Sequence, residues 1–234
     1  MAAQNARAGR AGQARALTSL RLRRKQPAAM KALALALVLF ALPLAAGAQG
    51  LSEADRADLR RIEAWFGSVQ SLKARFSQIA PDGGLSEGEF YMRRPGRLRF
   101  EYRPPPRQLV VGDGIWFIFH DIELGQISRV PILSTPLSVL VDSTVDLERG
   151  RVRAVRVLRQ PGATRVTVLD QDKPEEGSLT LVFRDSPIEL LYWEVSDARR
   201  QITTVALSQV ELNPSLPPVL FTFTDPRDRR PDGN

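Results

Sequence analysis

Hydrophobic positions along this chain change their period near residue 70. Before that point Leu59, Ile62, Trp65, Phe66 and Val69 recur three or four residues apart, which places them on one face of a helix. Ser52 precedes Glu53 and Asp55, an N-cap followed by acids in the first turn, so the helix is expected to run from there to about Gln70, with Gly67 as a weak point. Beyond it the pattern alternates. Strands are expected over 72–80, 87–94, 97–103, 107–112, 115–120, 124–130, 151–159, 163–170, 178–184, 188–196, 200–210 and 219–224. Turn signals separate them, among them Asp82-Gly83-Gly84, Pro95-Gly96, Pro104-Pro105-Pro106, Asp113-Gly114, Pro161-Gly162 and Glu176-Gly177. Many short strands without helices between them predict a mainly β fold with some α: an unclosed antiparallel barrel, or curled sheet, under short helices.

The stretch Tyr91–Tyr102 is the most informative. Leu98, Phe100 and Tyr102 alternate with Arg99 and Glu101, giving one apolar and one charged face. Arg94 ends the preceding strand in register with Met92 and Phe90, so alternation points it to the apolar side. A charge facing an apolar interior is costly unless it is hydrogen-bonded. Arg94 is therefore either a structural residue paired elsewhere or a polar latch.

The segment from Pro131 to Val141 breaks the strand pattern. Thr135 can cap a helix that starts at Pro136, with Leu137, Leu140 and Val141 on a shared face. Such a helix would be a movable lid or a fixed plug. Gly114–Phe119 and Leu190–Val195 are apolar on both faces. A half-open sheet with so much apolar surface must enclose either a cavity for a greasy ligand or a filled core, and periodicity fits both.

Composition changes this picture at the N-terminus. Residues 1–31 hold eight Lys or Arg and no acid, and Ala32–Ala48 is almost wholly apolar. A basic flank, a short apolar core and Ala46-Gly47-Ala48 make a secretory signal peptide, cut before Gln49; the run is short for a membrane anchor and Pro43 interrupts it. Met30-Lys31 resembles the natural start of such a signal. The expected organisation is a leader over 1–48, one domain over 49–226, and a disordered tail over 227–234. Removing 1–48 takes eight of the 33 Lys and Arg, leaving 25 against 26 Asp and Glu, a net charge of −1. The high isoelectric point belongs to the leader, so it is no sign of nucleic-acid binding.

There are no cysteines, which excludes disulfides, thiolate metal ligands, a cysteine nucleophile and a lipid-modified cysteine at the cut. His120 is the sole histidine and stands beside Asp121 in a turn. No metal-ligand spacing, glycine-rich phosphate loop or cofactor motif appears, and Glu87, Glu89 and Glu101 lie among arginines, where solvated ion pairs are expected. No residue set here makes a catalytic site. Arg149, Arg151 and Arg153, with Arg156, Arg159 and Arg165 nearby, form either a solvated strand face or a contact with an acidic partner or lipid headgroups.

Taken in order, several segments resemble the periplasmic outer-membrane lipoprotein carrier family. They are Leu72–Gln78, Gly88–Tyr102, Gln108–Gly114, Thr135–Leu137, Gly177–Phe183, Trp193–Asp197 and Phe221–Pro226, within a likeness running from about Leu59 to Pro226. The resemblance implies an unclosed barrel with a lid of helices and an apolar cavity for the acyl chains of lipoproteins. Arg94 matches the family arginine that hydrogen-bonds lid backbone and holds the empty carrier shut. Phe90, Met92, Leu98, Phe100, Tyr102, Phe117 and Trp193 are then expected in the cavity wall, and Ile62, Phe66, Leu137 and Leu140 in the lid. A soluble periplasmic monomer follows, without catalysis, metal or cofactor. It would receive cargo from an inner-membrane ABC lipoprotein-releasing complex and deliver it to an outer-membrane acceptor. A periplasmic domain that senses lipid or lipoprotein is the rival reading. Two departures stand out: the turn Asp197-Ala198-Arg199-Arg200 lacks the expected glycine, and the chain after Pro226 is short and polar.

Overall fold

Ser52 starts the helix as its side chain predicts. Its hydroxyl accepts from the Asp55 amide while the Asp55 carboxylate accepts from the Ser52 amide, a reciprocal cap on helix α1, Glu53–Ser68. The structure is a computed structural model that describes residues 50–105 and 107–228. The expected leader, 1–48, and residues 229–234 lie outside the described residues. Leu59, Ile62, Trp65 and Phe66 make the buried stripe of α1.

After α1 come eleven strands: β1 Ser71–Ile79, β2 Leu85–Arg93, β3 Arg97–Tyr102, β4 Gln108–Asp113, β5 Trp116–Asp121, β6 Gln126–Pro131, β7 Val152–Gln160, β8 Ala163–Asp170, β9 Gly177–Asp185, β10 Ile188–Asp197 and β11 Ile202–Leu212. They form one antiparallel sheet ordered β6-β5-β4-β3-β2-β1-β11-β10-β9-β8-β7. Two meanders, β1–β6 and β7–β11, are thus joined where β1 pairs with β11. The edges β6 and β7 do not pair with each other, so the curled sheet stays open.

Curl comes from the bulges. The register slips in the β1–β11 pair, where Gln209 takes φ +52°, and again at Leu190/Tyr192 in β10 and Ala154/Arg156 in β7. Each extra residue bends its strand and increases the local twist. Alternation sets the inner face: in β2 and β3, Gly88, Phe90, Met92, Leu98 and Phe100 are buried. Trp65 and Phe66 of α1 meet Phe183 of β9 edge-on, with centroids 5.2 and 5.9 Å away. Helix α1 thereby covers part of that inner face.

Three readings of the sequence need correction. Residues 219–224 are not a strand: Pro218–Phe221 forms a 3₁₀ turn and the chain then runs on without pairing. Pro217-Pro218 supplies no amide donors for a ladder, and the carbonyls of Leu216 and Leu220 accept instead from Arg93 and Arg99. The segment after Thr135 is 3₁₀ rather than α-helical, over Pro136–Leu140, and the Thr135 hydroxyl makes no cap. Arg149 and Arg151 precede β7, so they do not share a strand face with Arg153. In the turn that lacks glycine, Arg200 itself takes the left-handed conformation at φ +62°, and the Asp197 carboxylate accepts from the Arg199 and Gln201 amides. At the other end, Asp225 is buried against Arg129 and Arg227, beside the turn Pro226–Asp228.

Gly88 shows how closely the inner face is packed. It pairs with Phe76 on one side and Tyr102 on the other. A Cβ there would collide with the Glu101 carbonyl and lie 2.7 Å from the Phe76 ring. Gly88→Ala is expected to destabilise the fold by about 1–3 kcal/mol, the usual cost of overpacking, read as a lower urea midpoint at unchanged slope.

Candidate functional site

The inner face of the sheet bounds a half-open cavity of about 270 Å³. Its wall comes from strands distant in sequence: Leu98, Phe100 and Tyr102 of β3, Phe117 and Phe119 of β5, and Trp193 of β10. Thr135, Pro136 and Leu137 border it from the β6–β7 connection. Aromatic edges organise the wall. Phe76 meets Phe100 and Tyr102 at 5.2 and 4.9 Å, near right angles.

Polar groups are few. The Tyr102 hydroxyl donates to Gln78 Oε1 at 2.9 Å, and the Thr135 hydroxyl is buried without a hydrogen-bond partner. Burial pushes the Tyr102 phenol up to about 12, with the Gln78 contact opposing. Nothing in this lining is a nucleophile beside a base. No cluster of metal-ligating side chains occurs among the described residues. The volume lies just under the roughly 300–1,000 Å³ of ordinary ligand pockets, so a long ligand requires the cover to move.

The residues singled out from sequence fall into two groups. Leu98, Phe100, Tyr102, Phe117, Trp193 and Leu137 line the cavity. Phe90 and Met92 are buried but are not part of its wall. The reason is visible for Phe90, whose ring is backed by Phe100 at 4.6 Å and Trp193 at 5.6 Å. Ile62, Phe66 and Leu140 belong to the packed core that continues from the cavity. Gln78, Val110, Phe119, Leu179, Val195, Thr203 and Val205 also line it and were not singled out. Their alternation was readable; their convergence on one point depends on the bulges.

Arg94 follows the last residue of β2 and is 8% exposed. Its Nη1 donates to the Phe66 carbonyl, and its Nε donates to the Asp142 carbonyl at 2.6 Å. The guanidinium also lies 5.5 Å from the centroid of the Phe66 ring. Burial draws its pKa down from the ordinary value, and the nearby Asp142 carboxylate opposes this. Helix α1 has no basic residue in its last turn, so Arg94 supplies from across the fold the cation that a helix C-terminus favours. One side chain thereby ties α1 to the segment that follows the 3₁₀ turn. Backbone and a carboxylate add further ties: Gly96 N donates to the Val141 carbonyl at 2.7 Å, and Leu147 N donates to Glu63 Oε1 at 2.7 Å. Asn213 completes the helix end, its amide bridging the Ser68 carbonyl and the Gln70 amide.

Most of the arginine series is paired within the chain. Arg159 meets Asp55 and Asp58 of α1 at 2.9 and 2.7 Å, Arg149 meets Asp146, and Arg165 meets Glu194 at 2.6 Å. His120 stands edge-on to Phe223 at 5.6 Å.

The family described as outer membrane lipoprotein carrier protein LolA matches residues 67–224 of this chain. The chain belongs to that family. The outer-membrane lipoprotein carrier protein of Leptothrix cholodnii is 31% identical over 194 residues, covering 78% of this chain and 87% of that one. The carrier protein of Chromohalobacter salexigens is 32% identical over 195 residues, covering 80% and 89%. That of Methylobacillus flagellatus is 28% identical over 181 residues, covering 73% and 87%. The family is one of carrier proteins. No helix among the described residues is long and apolar enough to cross a membrane.

Tyr102 gives the cavity a pH signature. Its phenol ionises near 10 in an unfolded chain and at about 12 in the fold. Between those values the folded protein keeps a proton that the unfolded chain has lost, so this contribution to stability is intact below pH 10 and disappears as pH rises through 12. Urea midpoints measured across that window should fall, and Tyr102→Phe should flatten the fall; an equal slope in both proteins would place the phenol in water.

Proposed function

We propose that this protein is a periplasmic carrier that takes the acyl chains of lipoproteins into the cavity under its lid and escorts them from the inner to the outer membrane. The observation that carries this reading is the apolar cavity bordered by Leu137, beside covering segments that hydrogen-bond to Arg94, in a chain of the lipoprotein-carrier family. Cargo would be acylated protein, received from an inner-membrane ABC lipoprotein-releasing complex and given up to an outer-membrane acceptor. The apolar run before Gln49 supports export as a signal peptide.

Physical chemistry makes the escort necessary. Withdrawing one acyl chain of about fifteen methylenes from a membrane forfeits roughly 12 kcal/mol, at about 0.8 kcal/mol for each methylene. A carrier must replace most of that, yet still let go. A closed, empty state stabilised by its own hydrogen bonds lowers the net affinity, because loading has to break them. Arg94 is suited to this role. Its bonds run to main-chain carbonyls on two covering segments, and both are lost if those segments separate. Leu98, Phe100, Tyr102, Phe117 and Trp193 would receive the chain, while Phe90, Met92, Ile62, Phe66 and Leu140 would form the second layer exposed as the lid swings out.

Arg94→Leu is the direct test. The apolar side chain suits the surrounding core, so the fold should survive. Removing two charge-assisted hydrogen bonds, of about 1.5–3 kcal/mol each before the relief of burying a charge, should favour the open form. Cargo should be retained at least about tenfold more tightly, and transfer to acceptor-bearing membranes should slow in proportion. Unchanged loading and hand-off by this variant would remove Arg94 from the transfer cycle.

A further inference from the structure

The 3₁₀ segment Pro136–Leu140 has a second attachment, separate from Arg94. Asp170, the last residue of β8, is only 2% exposed. A buried carboxylate must be compensated, and Arg151 does this through an ion pair from Nη1 to Asp170 Oδ2. The Asp172 amide donates to Oδ1 at 3.0 Å. Its second arm, Nη2, then donates at 2.9 Å to the hydroxyl of Ser138, which is 1% exposed in the middle of the 3₁₀ segment. The guanidinium is thus fixed at its root by a buried acid and reaches the cover with its free edge.

We infer that Ser138 and Arg151, anchored by Asp170, form a second latch that sets how readily the lid opens and so how tightly cargo is held. This rests on the carrier reading above. The two ties differ in kind. Arg94 holds main-chain carbonyls, which any sequence would offer, and it does so at Phe66 and Asp142, on either side of the lid segment. Arg151 holds a side-chain hydroxyl inside that segment. Ser138 is one residue from Leu137, an apolar group of the cavity wall. Lifting Leu137 away from Trp193 and Phe100 moves Ser138 away from a guanidinium whose position Asp170 fixes. Opening therefore breaks a charge-assisted bond whether or not Arg94 has let go. Ser138 and Arg151 are positioning residues in this scheme; neither lines the cavity.

Ser138→Ala isolates the contact and leaves the Arg151–Asp170 pair intact. Arg151 alone is a poor target, since its loss would strand the Asp170 carboxylate in the interior. The second variant therefore replaces the pair together, as Arg151→Met with Asp170→Leu. Two quantities are read on the purified protein: affinity for the fluorescent fatty acid cis-parinaric acid, and hydrogen exchange of the amides over 136–147 without ligand. Both variants should bind the probe about tenfold more tightly than wild type and exchange faster across that segment, and the urea midpoint of Ser138→Ala should fall modestly, since a bond lost from the closed form is lost from the folded state. A purely structural role would instead lower affinity and stability together. Combined with Arg94→Leu, the effect of Ser138→Ala on affinity should add, as for independent ties. Wild-type affinity and wild-type exchange in Ser138→Ala would overturn the inference. If the wild-type protein itself fails to bind the probe, the carrier reading falls and takes the affinity claim with it. Exchange over 136–147 then decides the latch alone.

Discussion

A guanidinium cannot rest in an apolar interior without oxygens to receive its protons, and Arg94 finds them on two separate pieces of chain. That constraint organises the molecule. The residue is delivered to the apolar side by the alternation of β2, directly after Met92 and Phe90. Two acceptors are available there: the Phe66 carbonyl at the end of α1, which also takes the Val69 amide, and the Asp142 carbonyl past the 3₁₀ turn. Their capture positions both covering segments over a sheet whose edges never meet. The cover is held by polar bonds at its margins, and its centre rests on oily side chains.

This division of labour separates stability from opening. The aromatic cluster of Phe76, Phe90, Phe100 and Trp193 belongs to the sheet beneath the cover. Leu137, by contrast, faces a cavity that is smaller than the ligand proposed for it. Entering acyl chains would replace contacts between the lid and the wall with contacts of similar kind, so the apolar energy changes little as the cavity grows. What changes is the count of polar bonds at the rim. On the proposed reading, affinity is adjusted by a few hydrogen bonds rather than by the size of the apolar wall, which would let one cavity both extract and release.

Much of this was legible in the residues and some was not, for reasons that can be stated. The capping pair Ser52 and Asp55 marked the start of α1, and period-two alternation placed eleven strands within a few residues of their observed bounds. Alternation also put Arg94 on the buried side, since register needs only the parity of positions. It does not say where along a face a second element will touch. Phe90 and Leu98 therefore read alike, although one is backed by rings and the other borders space. Val219, Phe221 and Phe223 alternate like a strand, yet Pro217-Pro218 and the competing guanidinium donors of Arg93 and Arg99 keep that segment out of the sheet. The Ser138–Arg151–Asp170 chain had no signature at all, because its three members come together only when the curl brings the end of β8 beneath the β6–β7 connection.

The claim on which everything else depends is that fatty chains enter the space beside Trp193. Trp65→Phe with Trp116→Phe leaves Trp193, which is 1% exposed and part of the cavity wall, as the only indole. Titration of that protein with a brominated fatty acid measures contact directly, since bromine quenches indole emission only at close range. Saturable quenching, reversed by the same acid without bromine, is the expected result. Emission that stays constant while the acid demonstrably binds would place the ligand elsewhere on the protein and contradict an acyl-chain site under the lid.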